Sequence, residues 1–413
     1  MIEESPEALA ALRDRTLRYP PARYPVQHAT AQFHLGVALT EAGRYEDAAR
    51  ALAEAVRLFP ADQMPGEQAA AANALGAAWR ARGRLDEAAA AFVQAREGFE
   101  RAGRAPEVAA ALHNLGLVEV QRGRPQVAAR RLAEALKKFE ACGSAAGAAG
   151  AAAAARELGA AHLAAGDVER ATTTLAGAVE RAGAAGSEAG VGAAANLLGL
   201  ALLAADRPDA AVEAFRRSAG ANPRRVRPAG YAVAKANLAL AWRRAGDPDR
   251  AGLAAGQALA TPTLPDAARE VALEACGGAE PSPGALTAVM AEEAESEWAA
   301  LARQEMNRWL DLGEGGREQE ARAWLDGVAS RPDRAPQLLA AWFGALLELP
   351  TASMASLLGS VLAALATRND AAQEVFRRWS SRATVTFAVP QLVRLHDMLE
   401  QLGEEAGVGG PWR

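Results

Sequence analysis

Two cysteines in 413 residues, Cys142 and Cys276, rule out a disulfide framework. They lie far apart, and neither has a Cys or His beside it at ligand spacing, so both read as small apolar residues of a reducing compartment. Lysine is nearly missing: Lys137, Lys138 and Lys235 are the only three, and arginine carries almost all positive charge. The net charge is −5, not the basic surplus of a nucleic-acid binder, so neither DNA nor RNA is expected as a partner. Aromatic residues make up only 5% of the chain. Strand-like alternation is absent except for a short run at Thr384–Val389. The acidic start, Met1-Ile2-Glu3-Glu4, lacks the apolar segment of a signal peptide, so the expected location is cytoplasmic. One apolar stretch, Leu338–Ala366, carries a single charge, Glu348, but Pro350 and Thr351 divide it into halves too short to cross a bilayer. A buried helical hairpin is expected there. P-loop, dinucleotide fingerprint, His-Glu-x-x-His and nucleophile-elbow motifs are all missing, so no catalytic residue, cofactor or metal is expected.

What is present is alanine, glycine and a period. Hydrophobic residues are 50% of the chain, and it contains 38 glycines. Leu35-Gly36, Leu75-Gly76, Leu115-Gly116, Leu158-Gly159, Leu198-Gly199 and Leu238-Ala239 repeat one motif at steps of 40, 40, 43, 40 and 40 residues. A fixed period in this range marks an array of stacked units. A second marker follows each pair: Gly43, Gly83, Gly123, Gly166, Asp206 and Gly246. Glycine there stops a helix through the left-handed conformation, and Pro or Asp just after it starts the next. Each unit therefore reads as helix, tight turn, helix. The first glycine falls inside a helix, where it costs up to about 1 kcal/mol relative to alanine. Close approach of the partner helix is the expected reason.

These pairs, with the small residues Ala48, Ala88, Ala128, Ala171, Ala210 and Ala251, the later Leu52, Phe92, Leu132, Leu175 and Phe215, and the closing Pro60 and Pro223, resemble the tetratricopeptide repeat family over Val26 to Ala260. The period departs from the usual 34 residues. It is similar to the longer form found in kinesin light chains and in sensor regions of bacterial regulators. The sixth unit is weaker, with Ala239 in place of glycine. The resemblance implies an all-α fold, a right-handed α-solenoid of six repeats (26–260), capped by a helix in 1–25. A linker with a short helix (261–283) and a Trp-rich helical domain (284–413) follow. Between the third and fourth units Ala141–Ala155 is nearly all alanine and glycine, and continued close-packed helices are expected there rather than disorder.

The resemblance further implies that the first helix of each unit lines a concave groove. The positions facing it include Phe33, Asn73, His113, Arg156 and Asn196, with Arg80 and Arg243 a turn further on. Asn114 and Asn237 stand one step off that register. Asparagine offers a donor and an acceptor to an extended backbone, and arginine favours carboxylates. The candidate partner-binding residues are thus Asn73, Arg80, His113, Asn114, Arg156, Asn196, Asn237 and Arg243. An alternative is that the asparagines only bond inside the array. Four of the five histidines, His34, His113, His162 and His396, do not converge on a metal pattern. The arginines from Arg216 to Arg227 suit either an acidic partner or a solvated turn.

Six of eight tryptophans fall in the last third, where helices are expected at about 284–312, 317–330, 335–349, 352–367, 369–382 and 389–405. The leading functional reading is an adaptor that holds a segment of a partner protein, with the C-terminal domain docking a second protein or a second copy. Two alternatives stand beside it: a peptide- or ligand-sensing regulator acting through protein contacts, and an enzyme using His396, Asp397, Glu400, Arg377 and Trp379.

Overall fold

The computed structural model describes residues 6–261, 264–277, 284–408 and 410–412, and their regular structure is entirely α-helix. Residues 1–5, the start of the segment expected to hold the capping helix, and the linker residues 262–263 and 278–283 lie outside the described residues. The chain forms two compact units, Met1–Ala205 and Asp206–Arg413.

The first unit opens with α1 (Pro6–Arg18), which packs on α2. Helical hairpins follow: α2 (Pro25–Glu41) with α3 (Tyr45–Leu58), α4 (Pro65–Ala81) with α5 (Leu85–Arg101), α6 (Ala105–Gln121) with α7 (Pro125–Ala141), and α8 (Ala145–Ala164) with α9 (Val168–Ala184). α10 (Glu188–Ala204) closes the unit. Each hairpin turn uses the left-handed backbone that the second glycine was expected to supply: φ is 72° at Gly43, 79° at Gly83, 69° at Gly123 and 79° at Gly166. The fifth turn reaches the same region with Asp206, at φ 55°.

The first glycine has the reason the sequence suggested. A Cβ on Gly36 would lie 2.4 Å from Leu52, one on Gly76 2.7 Å from Phe92, one on Gly116 2.6 Å from Leu132, and one on Gly159 2.4 Å from Leu175. Each is the large residue of the facing helix in its own hairpin. The Ala-Gly stretch is helix, as expected. α8 has 20 residues where α6 has 17, and Ser144 caps it by accepting from the Gly147 amide at 3.1 Å.

The hairpins are not packed symmetrically. The first helices α2, α4, α6, α8 and α10 pack each on the next, whereas the second helices of successive hairpins approach one another less closely. In a two-layer array the more crowded row is the inner one. The first helices therefore form the inner face of this unit, and α3, α5, α7 and α9 its amphipathic outer face.

The second unit begins with α11 (Pro208–Ala221), α12 (Pro228–Arg244) and α13 (Pro248–Leu259), with α14 (Asp266–Ala275) against α12 and α13. α15 (Ala285–Glu292) and α16 (Glu295–Asp311) also contact α13. Then come α17 (Glu314–Ala329), α18 (Ala335–Leu347), α19 (Thr351–Ala366), α20 (Asp370–Ala383) and α21 (Val389–Ala406). Here the closest packing passes from sequence neighbours to helices two apart: α16 with α18, α17 with α19, α18 with α20 and α19 with α21. One core of large side chains, including Trp298, Trp309, Trp324, Trp342 and Phe343, fills the space between. The apolar stretch Leu338–Ala366 contributes α18 and α19 to it. Both are buried, but each packs most closely on helices other than its hairpin mate. No described helix is long and apolar enough to cross a membrane.

Two expectations fail locally. The single helix expected over 284–312 is broken: Glu293 is extended (φ −88°, ψ 161°) and ends α15, and α16 starts at Glu295. The break is held from both sides, since Trp298 Nε1 donates to the Glu293 carbonyl at 3.1 Å and Arg250 binds its carboxylate at 2.9 Å. Glu295 and Glu297 occupy the first turn of α16. The strand-like run Thr384–Val389 is a turn instead. Thr384 bonds back to Ser380, and the Ala388 amide donates to Gln391 Oε1 at 3.2 Å, which starts α21.

Candidate partner-binding surface

The candidate residues Asn73, Arg80, His113, Asn114, Arg156 and Asn196 lie on α4, α6, α8 and α10, the inner row of the first unit. The close packing of α4 on α6 follows from alanine, since Ala69, Ala72, Ala109 and Ala111 fill one shared core. That closeness lets Asn114 Nδ2 donate to Asn73 Oδ1 at 3.1 Å. Asn114, one step off the register of the groove positions, thereby joins one repeat to the next through Asn73. This contact belongs to the array's own structure.

The remaining polar groups of this row are less fully used. Arg156 pairs with its neighbour Glu157 at 2.6 Å. Arg80 Nε and His113 Nδ1 are buried atoms without a hydrogen-bond partner among the described residues. Burial holds the His113 imidazole below its ordinary range; the Glu157 charge opposes this, while Arg156 and Arg80 reinforce it. Arg80, His113, Arg156 and Glu157 thus act on one another across α4, α6 and α8, as a cluster with surplus positive charge. Buried polar atoms are nearly always satisfied in folded proteins, so two unspent nitrogens in one cluster mark spare bonding capacity.

Asn196 is half-buried on α10. Asn237 and Arg243 belong to the second unit: Asn237 is buried within α12, and Arg243 is exposed at its end. The arginine run in the second unit is largely spent internally. Arg216 pairs with Glu213 at 3.1 Å, Arg224 with Asp311, and Arg227 Nε donates to Asn222 Oδ1 at 3.2 Å.

Family models described as tetratricopeptide repeat match residues 67–141 in one form and 3–63, 113–187 and 158–226 in another. The chain belongs to the tetratricopeptide repeat family. No curated protein matches its sequence. Among solved structures, this tetratricopeptide repeat chain is similar to a putative kinesin light chain with nearly identical TPR-like repeats from Podosopora anserina, at 20% identity and a TM-score of 0.41, covering 48% of this chain and 96% of that one. It is similar to the apo form of RapI at 12% identity and a TM-score of 0.48, covering 67% and 93%. A Rap protein complexed with competence and sporulation factor is similar at 15% identity and a TM-score of 0.44, covering 97% and 94%.

A second feature of the tetratricopeptide repeat chain was not anticipated from sequence. Lys235, on α12, is only 7% exposed and lines a cavity in the second unit. The available signal was a lone lysine in an otherwise Ala- and Leu-rich helix. Nothing in the spacing showed that α15 and α16 would cover it.

Proposed function

We propose that the protein is an adaptor that acts by contact, holding an extended, acid-bearing segment of a partner protein against the inner row of its first unit. The observation that carries this reading is the Arg80–His113–Arg156 cluster, with buried nitrogens left unpartnered on the face where first helices crowd together. Packed helices stand about 8–10 Å apart, and an extended chain rises about 3.3 Å per residue. Successive inner helices therefore meet about every third residue of a bound segment. An Asp or Glu at one such point would face two guanidiniums, and a neutral His113 can offer either a donor or an acceptor beside it.

Selection from displayed random peptides tests this on the intact chain. Enriched sequences should carry Asp or Glu, and a variant with Arg80→Gln and Arg156→Gln should bind them about 10- to 100-fold more weakly, with an unchanged far-UV spectrum. Selected peptides that bind the variant equally well would defeat the reading. A second copy is the proposed occupant of the C-terminal end of the chain, where Val385, Val389 and Val393 are exposed at 79%, 72% and 51%. Molar mass by light scattering, compared with that of Val389→Asp, tests that part.

A further inference from the structure

A cavity of about 470 Å³ lies in the second unit, between α11, α12 and α13 on one side and α15 and α16 on the other. Three cations line it, and two have been spent. The Arg216 and Arg250 guanidiniums stand 5.2 Å and 5.1 Å from the Trp242 ring centre. Both also turn to the Glu293 carboxylate, at 3.8 Å and 2.9 Å. The third, Lys235, differs. Its ammonium donates to Gln304 Oε1 at 2.9 Å and lies 5.6 Å from the Tyr231 ring centre, and no carboxylate pairs with it among the described residues.

An amide oxygen is a poor counter-charge for a buried cation. The consequence is visible in the group itself. Burial pulls the Lys235 pKa down to about 8, with the Glu305 charge resisting and Arg216 adding to the fall. Gln304 is an exposed residue on α16, so its amide is free to yield to a better acceptor. Trp242, Leu253, Val289 and Leu301 give part of the wall an apolar surface. Glu293 and Glu297 share the lining and oppose a second negative charge. The volume falls in the range of about 300–1,000 Å³ usual for small-molecule sites.

We propose that this cavity binds a small amphipathic monocarboxylate, its carboxylate replacing the Gln304 oxygen on the Lys235 ammonium and its apolar body lying against Trp242, Leu253, Val289 and Leu301. A buried lysine with no anionic partner destabilises the empty protein, and a ligand carboxylate removes that penalty. Such a ligand would bias the helices α12, α13 and α16 that enclose it toward their packed arrangement.

Calorimetric titration of the full-length chain with sodium octanoate, sodium acetate and octan-1-ol tests the proposal. Octanoate should bind one to one and raise the melting temperature, with acetate and octan-1-ol each weaker by at least about tenfold. Lys235→Met should lose about 10- to 100-fold in octanoate affinity while its far-UV spectrum and melting remain those of a folded protein. Ala300→Trp, which fills the lining without touching the ammonium, should also abolish binding. Two results would overturn the proposal: no saturable octanoate binding to the wild type, or equal binding to Lys235→Met.

Discussion

In hairpin α4/α5, Gly76 presents bare backbone to Phe92, and the two helices come so close that a single methyl group would collide at 2.7 Å. In α18 and α19, Gly344 and Gly359 meet nothing within 4 Å, and the space between helices is filled by Trp324, Trp342 and Phe343 instead. The repeats exclude water by bringing backbones together over alanine. Helices α18 and α19 do so by holding backbones apart over large side chains, whereas Gly327 of α17 meets Thr287 of α15 as closely as any repeat glycine meets its partner. The stacked pair Trp324 and Trp342, with ring centres 6.2 Å apart, illustrates the second mode. Hairpin α4/α5 is therefore sensitive to an atom added at Gly76, and the core around α18 and α19 to atoms removed from its tryptophans.

The largest effect is expected where most volume is buried. Trp342→Ala should cost about 3–5 kcal/mol, read as a lower midpoint in urea. A loss below that range would mean that the Trp-rich core collapses onto the gap more readily than a tightly filled core can.

Lys235→Met should instead stabilise the folded chain by about 1–3 kcal/mol near pH 7, by removing a buried ammonium that lacks a carboxylate. The sign of the pH effect follows from the folded pKa of about 8 against the ordinary 10.5. Between those values the unfolded chain holds more protons, so wild-type stability should rise as the pH goes from 8 to 10. The rise is bounded by about 3 kcal/mol at about 1.36 kcal/mol per unit. It should vanish in Lys235→Met. Measurement should stop near pH 10, because Tyr231, held by burial up to about 12, acts in the opposite direction above that.

Gly76 on one side and Gly344 and Gly359 on the other give the sharpest contrast between hairpin α4/α5 and helices α18 and α19. Gly76→Ala should destabilise by about 1–3 kcal/mol through overpacking against Phe92, despite better helix propensity. Gly344→Ala and Gly359→Ala, entering open space within helices, should each stabilise by about 0.5–1 kcal/mol. Equal signs in thermal melts of the three variants would erase the distinction drawn above. The smallest destabilisation belongs to the inner row. Asn73→Ala should cost about 0.5–1.5 kcal/mol by removing the bond to Asn114, and a double-mutant cycle with Asn114→Ala should return a coupling of similar size.

How much of this was legible in sequence depended on how local the cause was. Gly36 answers to Leu52 and Gly76 to Phe92, each pair within one hairpin, so the period alone carried the reason for the glycine. The left-handed turns at Gly43, Gly83, Gly123 and Gly166 were likewise local. The bond between Asn73 and Asn114 spans two repeats, and it needs the exact offset of α4 against α6. Glu293 looked like part of one long helix because its break is held by Arg250, distant in sequence. At Thr384–Val389, apolar alternation mimicked a strand, but the nearby Ser380 carbonyl and Gln391 side chain took up the polar groups of a turn.

By itself, the sequence determined the helical hairpin, its length and its repetition, because those follow from glycine, proline and apolar residues acting within about forty positions of one another. Only the tertiary structure decided which row of helices is inner, which of its polar atoms are left unsatisfied, and that Lys235 is enclosed beside a cavity. Those outcomes depend on the distances between helices remote in sequence, and such distances are set by the packing of many side chains at once rather than by any one motif.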